Sequence, residues 1–193
     1  MTLRIENSAI IFTALLILGS VAATPCLADT IYSNLGPGST WIVNREYNVN
    51  SDFMATSFVA TGSGELGDIE TPLFNLNNPV TLGLYTDSNN EPDTLLESFS
   101  FDAPGFPGIL TTIPSVQNPM LAAGTEYWLV ISVTDAQKDK LAWYQNNQGV
   151  AGGIWFGNAL DGLIEAVPAS PMPAIELDTV AAVAVPEPAG GIL

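Results

Sequence analysis

The stretch Asp87-Ser88-Asn89-Asn90-Glu91-Pro92-Asp93 carries side-chain oxygens at alternate positions 87, 89, 91 and 93. Such a spacing can wrap Ca²⁺, a hard cation that takes six to eight oxygen ligands. It begins like an EF-hand loop and then departs from one. Pro92 stands where the sharp turn needs glycine, and Glu97 falls one place short of the twelfth-position glutamate. Asp, Asn and Pro are also the residues that turns use, so a plain hairpin turn over 87–93 competes with a calcium loop. No metal ligand set is assigned.

Carboxylates are the only other groups fit for acid–base work. A glycosidase needs two, ~5–10 Å apart across a sugar. With this many acids some pair meets that distance by chance, and nothing in the sequence selects one. No catalytic residue and no cofactor site is assigned, and the chain is read as non-enzymatic, a carboxylate-based glycoside hydrolase being the least favoured alternative. The aromatic residues offer a different chemistry. Trp41, Trp128, Trp143, Tyr144, Trp155 and Phe156 could present flat apolar faces to sugar rings, and Trp143-Tyr144 precedes an amide-rich run, Gln145-Asn146-Asn147-Gln148. Exposed rings beside amides make a sugar-binding kit. Filling a core is the competing role, since neighbours such as 143 and 144 point to opposite faces of a strand and at least one of each such pair should be buried.

The elements that would carry these residues are strands. Val80, Leu82 and Leu84 alternate with Thr81, Gly83 and Tyr85. Tyr127, Leu129, Ile131 and Val133 alternate with Glu126, Trp128, Val130 and Ser132. Leu95, Phe99 and Phe101 fall on one side of a further strand, with Leu96, Ser98 and Ser100 on the other. Period two means a strand with one buried face. Turn-forming segments such as "NLGPGS", "GSGELGD", "DSNNEPD" and "DAPGFPG" recur every ~8–12 residues, the signature of an all-β sandwich or barrel. The expected fold is a single antiparallel β-sandwich, jelly-roll-like, over residues 29–178. Two hairpins are expected within it. Thr81–Tyr85 should pair with Leu95–Phe101 across a turn that Pro92 can set. Tyr127–Val133 should pair with Leu141–Gln145 across the charged tip "TDAQKDK".

Both ends of the chain speak of export. Arg4 precedes an uncharged, mostly apolar run from Ala9 to Val21, 13 residues long. That is short for a membrane span, which takes ~20 residues, and right for the apolar core of a signal peptide. Pro25 ends any helix. Cys26 and Ala28 are small residues at minus three and minus one of a cut before Asp29. Residues 1–28 are therefore expected to be a signal peptide, removed on general secretion. The remainder has no Cys and no His, hence no disulfide, no Cys or His zinc site and no Ser–His or Cys–His pair. It keeps 19 acids against Arg45, Lys138 and Lys140, so its net charge (3 − 19) equals the −16 of the whole chain. Such a surface repels nucleic acid and anionic lipid.

From Ala166 the chain is rich in Pro and Ala, and residues 179–193 read as an extended tail carrying Val185-Pro186-Glu187-Pro188. A secretory signal at one end and this motif at the other resemble the PEP-CTERM proteins of Gram-negative bacteria. "IYSNLGPG", "VTLGLYTDSNNEPDTLLESFSF", "LAAGTEYWLVIS" and "AWYQNNQG" are similar to the choice-of-anchor R domain associated with that family, over about residues 30 to 178. Asp93 stands where that domain usually has the Gly of a Pro-Gly-Thr turn. The resemblance implies a cell-surface or extracellular-matrix protein, sorting by an exosortase at Pro186-Glu187-Pro188 and an association with exopolysaccharide. It brings no catalytic residues with it. In the family an apolar run and basic residues follow the motif. Only five residues follow Pro188 here, so this chain as written is expected to lack the membrane anchor. A carbohydrate- or calcium-binding module is the alternative reading.

Overall fold

The computed structural model describes residues 28–49, 53–75, 79–133, 141–158 and 163–181. Within them the chain forms thirteen strands: β1 (Thr30–Ser33), β2 (Glu46–Asn48), β3 (Phe53–Val59), β4 (Gly64–Phe74), β5 (Pro79–Ser88), β6 (Glu91–Asp102), β7 (Ile109–Pro114), β8 (Met120–Leu121), β9 (Glu126–Val133), β10 (Ala142–Tyr144), β11 (Ala151–Asn158), β12 (Leu163–Pro171) and β13 (Glu176–Thr179). They make two antiparallel sheets. One has six strands in the order β12-β11-β3-β9-β5-β6. The other has seven, along β1-β13-β4-β10-β2, with β7 and β8 on β4. The chain passes from sheet to sheet between β2 and β3, β3 and β4, β4 and β5, β6 and β7, β8 and β9, β9 and β10, β10 and β11, and β12 and β13, the alternation of a jelly-roll-like sandwich. Among the described residues no helix is long and apolar enough to cross a membrane.

The alternation seen in the sequence is what builds the core. Val80, Leu82 and Leu84 of β5 and Tyr127, Leu129, Ile131 and Val133 of β9 face inward, against Leu66, Ile69 and Leu73 of β4 and Leu177 of β13. Each sheet is apolar on the side that meets the other, so neither is stable alone and the two must cover each other. Beyond the Pro-rich stretch, β13 lies between β1 and β4 in the seven-stranded sheet and pairs with both.

Three local expectations need correction. The segments 127–133 and 141–145 are not a hairpin. β9 lies between β3 and β5 in the six-stranded sheet, whereas β10 pairs with β2 and β4 in the other. Both strands bury side chains, but alternation fixes which face is buried and leaves the partner open. The hairpin β5–β6 does form, yet its turn is Asn89-Asn90, both with positive φ (58° and 61°). This is the asparagine-friendly left-handed region that tight hairpins require. Pro92 sits instead within β6, opposite Asp87; β6 is the last strand of its sheet, where a missing N–H breaks no ladder. Finally, bulges at Leu84/Tyr85 and Tyr85/Asp87 shift the register. Leu95 is thereby 48% exposed, Leu96 packs against the core, and Glu97 turns inward beside Phe99.

Residues 1–27 and 182–193, with the apolar run and Pro186-Glu187-Pro188, lie outside the described residues, as do Lys138 and Lys140. Ala28 and Asp29, on either side of the expected cut, are exposed ahead of β1.

Candidate binding face and the open side of the sandwich

The aromatic residues divide sharply by environment. Trp143 is fully buried in the core, and its Nε1–H donates to Thr71 Oγ1 at 2.6 Å. That hydroxyl in turn donates to the Ala174 carbonyl at 2.8 Å, so the indole is held by a satisfied polar chain between β10, β4 and the segment before β13. Tyr144, on the other face of β10, is also buried, against Phe74 and over Gly108. Trp143 and Tyr144 thus both take the core-filling role, and neither offers a ring beside the amides to a sugar. Asn146, 1% exposed, is a loop organiser. Its Oδ1 accepts from the N–H groups of Gln148 and Val150, and its Nδ2 donates to the carbonyls of Val150 and Met172. Asn147 donates to Thr40 Oγ1 and Gln148 to Asn147. Trp41 is half-buried in the connection from β1 to β2, and Phe156 packs on the core beside Tyr47.

Trp155 and Trp128 have a different setting, the outer face of the six-stranded sheet. Small residues line the middle of this face: Ala55 on β3, Gly83 on β5, Gly153 and Gly157 on β11. Large rings lie down over them. A Cβ at Gly157 would collide with the ring of Phe53, the residue paired with it across the sheet. A Cβ at Gly83 would lie 2.5 Å from Tyr85 Cε2. Both rings thus lean along the sheet and do not stand up from it. Trp128 is only 1% exposed although it is on the outer side of β9, because Trp155 packs on it edge-on at 5.4 Å between centroids.

The bulged end of the β5–β6 hairpin closes over this face. Asp87 Oδ1 accepts from Trp128 Nε1–H at 2.8 Å, and Glu91 and Pro92 of β6 come within reach of Trp155 and Phe53, residues of strands four and three places away. The result is a cavity of about 260 Å³ lined by Phe53, Tyr85, Glu91, Pro92, Val130 and Trp155. It is smaller than the ~300–1,000 Å³ typical of drug-sized sites and fits a single ring-sized group. Its walls are aromatic and apolar, with one carboxylate at the rim. The oxygens of 87–93 are spent differently from a calcium loop: Asp87 on Trp128, Asp93 accepting from Thr94 Oγ1, and Asn89 and Asn90 in the turn. Among the described residues no group of three or more His, Cys, Asp or Glu could hold a metal ion.

Sequence reasoning named Trp155, named Glu91 only as an oxygen of the 87–93 stretch, and missed Phe53 and Tyr85. A signal was there: Tyr85 stands two residues from Gly83 on the side of β5 away from Leu82 and Leu84. A ring next to a same-face glycine has a place to lie flat.

A second concavity, about 580 Å³, opens between the edge strands β6 and β7 and includes Glu97, Phe99, Phe101, Thr111, Ile113 and Gln117. Glu97 is 2% exposed. Its carboxylate accepts from Ser115 Oγ at 2.5 Å, from the Val116 N–H at 2.7 Å and from the Gln117 N–H at 3.1 Å. Those donors follow β7 of the opposite sheet, so Glu97 ties the two layers together at their open side. With its oxygens so occupied it is a structural anchor and is poorly placed for proton transfer.

Comparison of the chain with family models, with curated proteins and with solved structures finds no match.

Proposed function

We propose that this chain is an exported, non-enzymatic module of the bacterial cell surface or extracellular matrix, of the PEP-CTERM and exosortase kind and linked to exopolysaccharide. The observation that carries the reading is the pair of address signals: the charge, apolar run and small residues ending at Ala28, and Val185-Pro186-Glu187-Pro188 following β13 in the sequence. The exposure of Ala28 and Asp29 supports it, because a cut there removes no residue of β1. The buried carboxylate of the larger cleft, Glu97, is engaged by three donors, which supports a structural role for it over a catalytic one.

Fractionation and N-terminal sequencing test this. The protein is expected outside the cytoplasm, beginning at Asp29, and enriched in the polysaccharide matrix. Recovery of a cytoplasmic form that retains Met1 to Val21 would overturn it. The reading as a binding module with a defined ligand is favoured by one observation, the ringed cavity on the outer sheet face.

A further inference from the structure

We propose that the outer face of the six-stranded sheet binds a neutral hexopyranose glycan, with one sugar ring seated in the cavity of Phe53, Tyr85, Val130 and Trp155 and its hydroxyls donating to Glu91. This rests on the reading as an extracellular module and adds a site and a ligand class to it.

Three features of the face select this occupant. The first is pre-organisation. Phe53 and Tyr85 lie over Gly157 and Gly83, where no side chain competes for the space, and Trp155 is backed by Trp128, itself pinned by Asp87. Rings fixed in this way lose little freedom when a ligand arrives, which is where small sites gain affinity. An apolar surface intended only as core would be covered, but this one faces outward and stays partly open under the hairpin tip. The second is the pairing of chemistries. A pyranose has an apolar C–H face and a rim of hydroxyl donors. The cavity answers the first with aromatic and aliphatic carbon and the second with an exposed carboxylate that accepts hydrogen bonds. The third is charge. Glu91 is the charged group of the lining, no cation is among these residues, and the chain as a whole carries −16. An anionic glycan would meet repulsion with no cation of the lining to offset it. The cavity volume of about 260 Å³ admits one ring, so the remaining units of a chain lie along the sheet surface outside it.

The experiment is affinity gel electrophoresis of the exported protein through gels containing hydroxyethyl cellulose, galactomannan or, as the anionic comparison, alginate. Retardation by at least one neutral polymer and none by alginate is expected. Trp155→Ala and Tyr85→Ser should each weaken binding about tenfold, the size of effect seen when a central aromatic is removed from a small interface. Glu91→Gln, at an exposed position where folding is indifferent, should weaken it less. Thermal melts of each variant separate loss of the site from loss of the fold. If Trp155→Ala fails to fold, Tyr85→Ser and Glu91→Gln still decide. The proposal is overturned by migration unaffected by every neutral polymer, by alginate binding at least as well, or by binding that the variants leave unchanged. It is also overturned if the face proves to be a contact between two copies of the chain, seen as a dimer that Tyr85→Ser dissociates. An exported, matrix-associated protein that no neutral polymer retards sinks the site alone. A cytoplasmic protein that is retarded sinks the extracellular reading and leaves the site standing.

Discussion

Replacement of Glu97 by Ala should be among the most damaging single changes on the open side of the sandwich. The carboxylate receives three hydrogen bonds, two of them from main-chain N–H groups of a loop that has few other anchors. That loop is otherwise fixed by Ser115 N–H on the Gly67 carbonyl, Asn118 N–H on the Ser115 hydroxyl, Asn118 Nδ2 on the Leu66 carbonyl and Leu66 N–H on the Pro119 carbonyl. A hydrogen bond to a charged group contributes about 1.5–3 kcal/mol, and a buried donor left without a partner costs about 1–3 kcal/mol. The Ser115 hydroxyl can rotate towards water, so its loss is small. The two N–H groups cannot turn away. Val116 is 84% exposed, so water reaches part of the loop and softens the penalty. Taking about 1.5 kcal/mol for each N–H and a few tenths for the hydroxyl gives a loss of about 3–4 kcal/mol. For a domain of this size that lowers Tm by about 8–14 °C. Glu97→Gln keeps one acceptor oxygen and the side-chain shape and should cost about half as much. Ser115→Ala removes one donor to Glu97 and the acceptor of the Asn118 N–H and should cost about 1–2 kcal/mol. Urea denaturation checks these values, and hydrogen exchange at Val116 and Gln117 checks their location. A loss below 1 kcal/mol for Glu97→Ala, or unchanged exchange at 116 and 117, would refute the account of Glu97 as the tie between the layers.

Asp68 faces Asp178 across β4 and β13 while Glu70 faces Glu176, which sets four carboxylates on the outer face of the seven-stranded sheet. Burial first, then Asp178, Glu70 and Glu176, raise the Asp68 carboxyl above its ordinary range. The folded state therefore holds this proton more tightly than the unfolded chain, and stability should fall as pH rises through the raised value and recover on acidification. Asp68→Asn should add about 0.5 kcal/mol at neutral pH after allowance for solvent screening and flatten that part of the pH profile, as measured by melting at several pH values. Asn90→Gly should stabilise the β5–β6 hairpin by up to about 1 kcal/mol, because φ is 61° there and glycine meets no steric penalty at that value. Gly157→Ala should push Phe53 off its seat, costing about 1–2 kcal/mol of stability and weakening glycan retardation in the same gels. Asn146→Ala should cost about 2–4 kcal/mol by orphaning backbone groups of Val150 and Met172, with no effect on glycan binding if the outer face is the site.

The sequence by itself determined the class of the fold and the face that each long strand buries. Val80-Leu82-Leu84 and Tyr127-Leu129-Ile131-Val133 point inward as alternation requires, because a period-two side-chain pattern maps directly onto the two sides of a sheet. The same alternation says nothing about which strand lies next to which. β9 and β10 are adjacent in sequence and join different sheets, while β10 finds β2 and β4, and β3 finds β9 and β11, across long stretches of chain. Those pairings are fixed by how two whole faces fit together. The bulges that expose Leu95 and bury Glu97 are likewise set by the partner strands and by the anchor at Ser115–Gln117. The candidate site shows the same division. The tryptophans were visible as sugar-type residues, but burial decided between them: Trp143 fell into the core, and Trp155 came to rest on Trp128 at the surface. Phe53, Gly157, Tyr85 and Glu91 have no common motif. They become one cavity only when strands β3, β5, β6 and β11 are laid into a single sheet and the bulged hairpin bends over it, because the ring of one strand rests in the space that a glycine of another, or of its own, leaves empty.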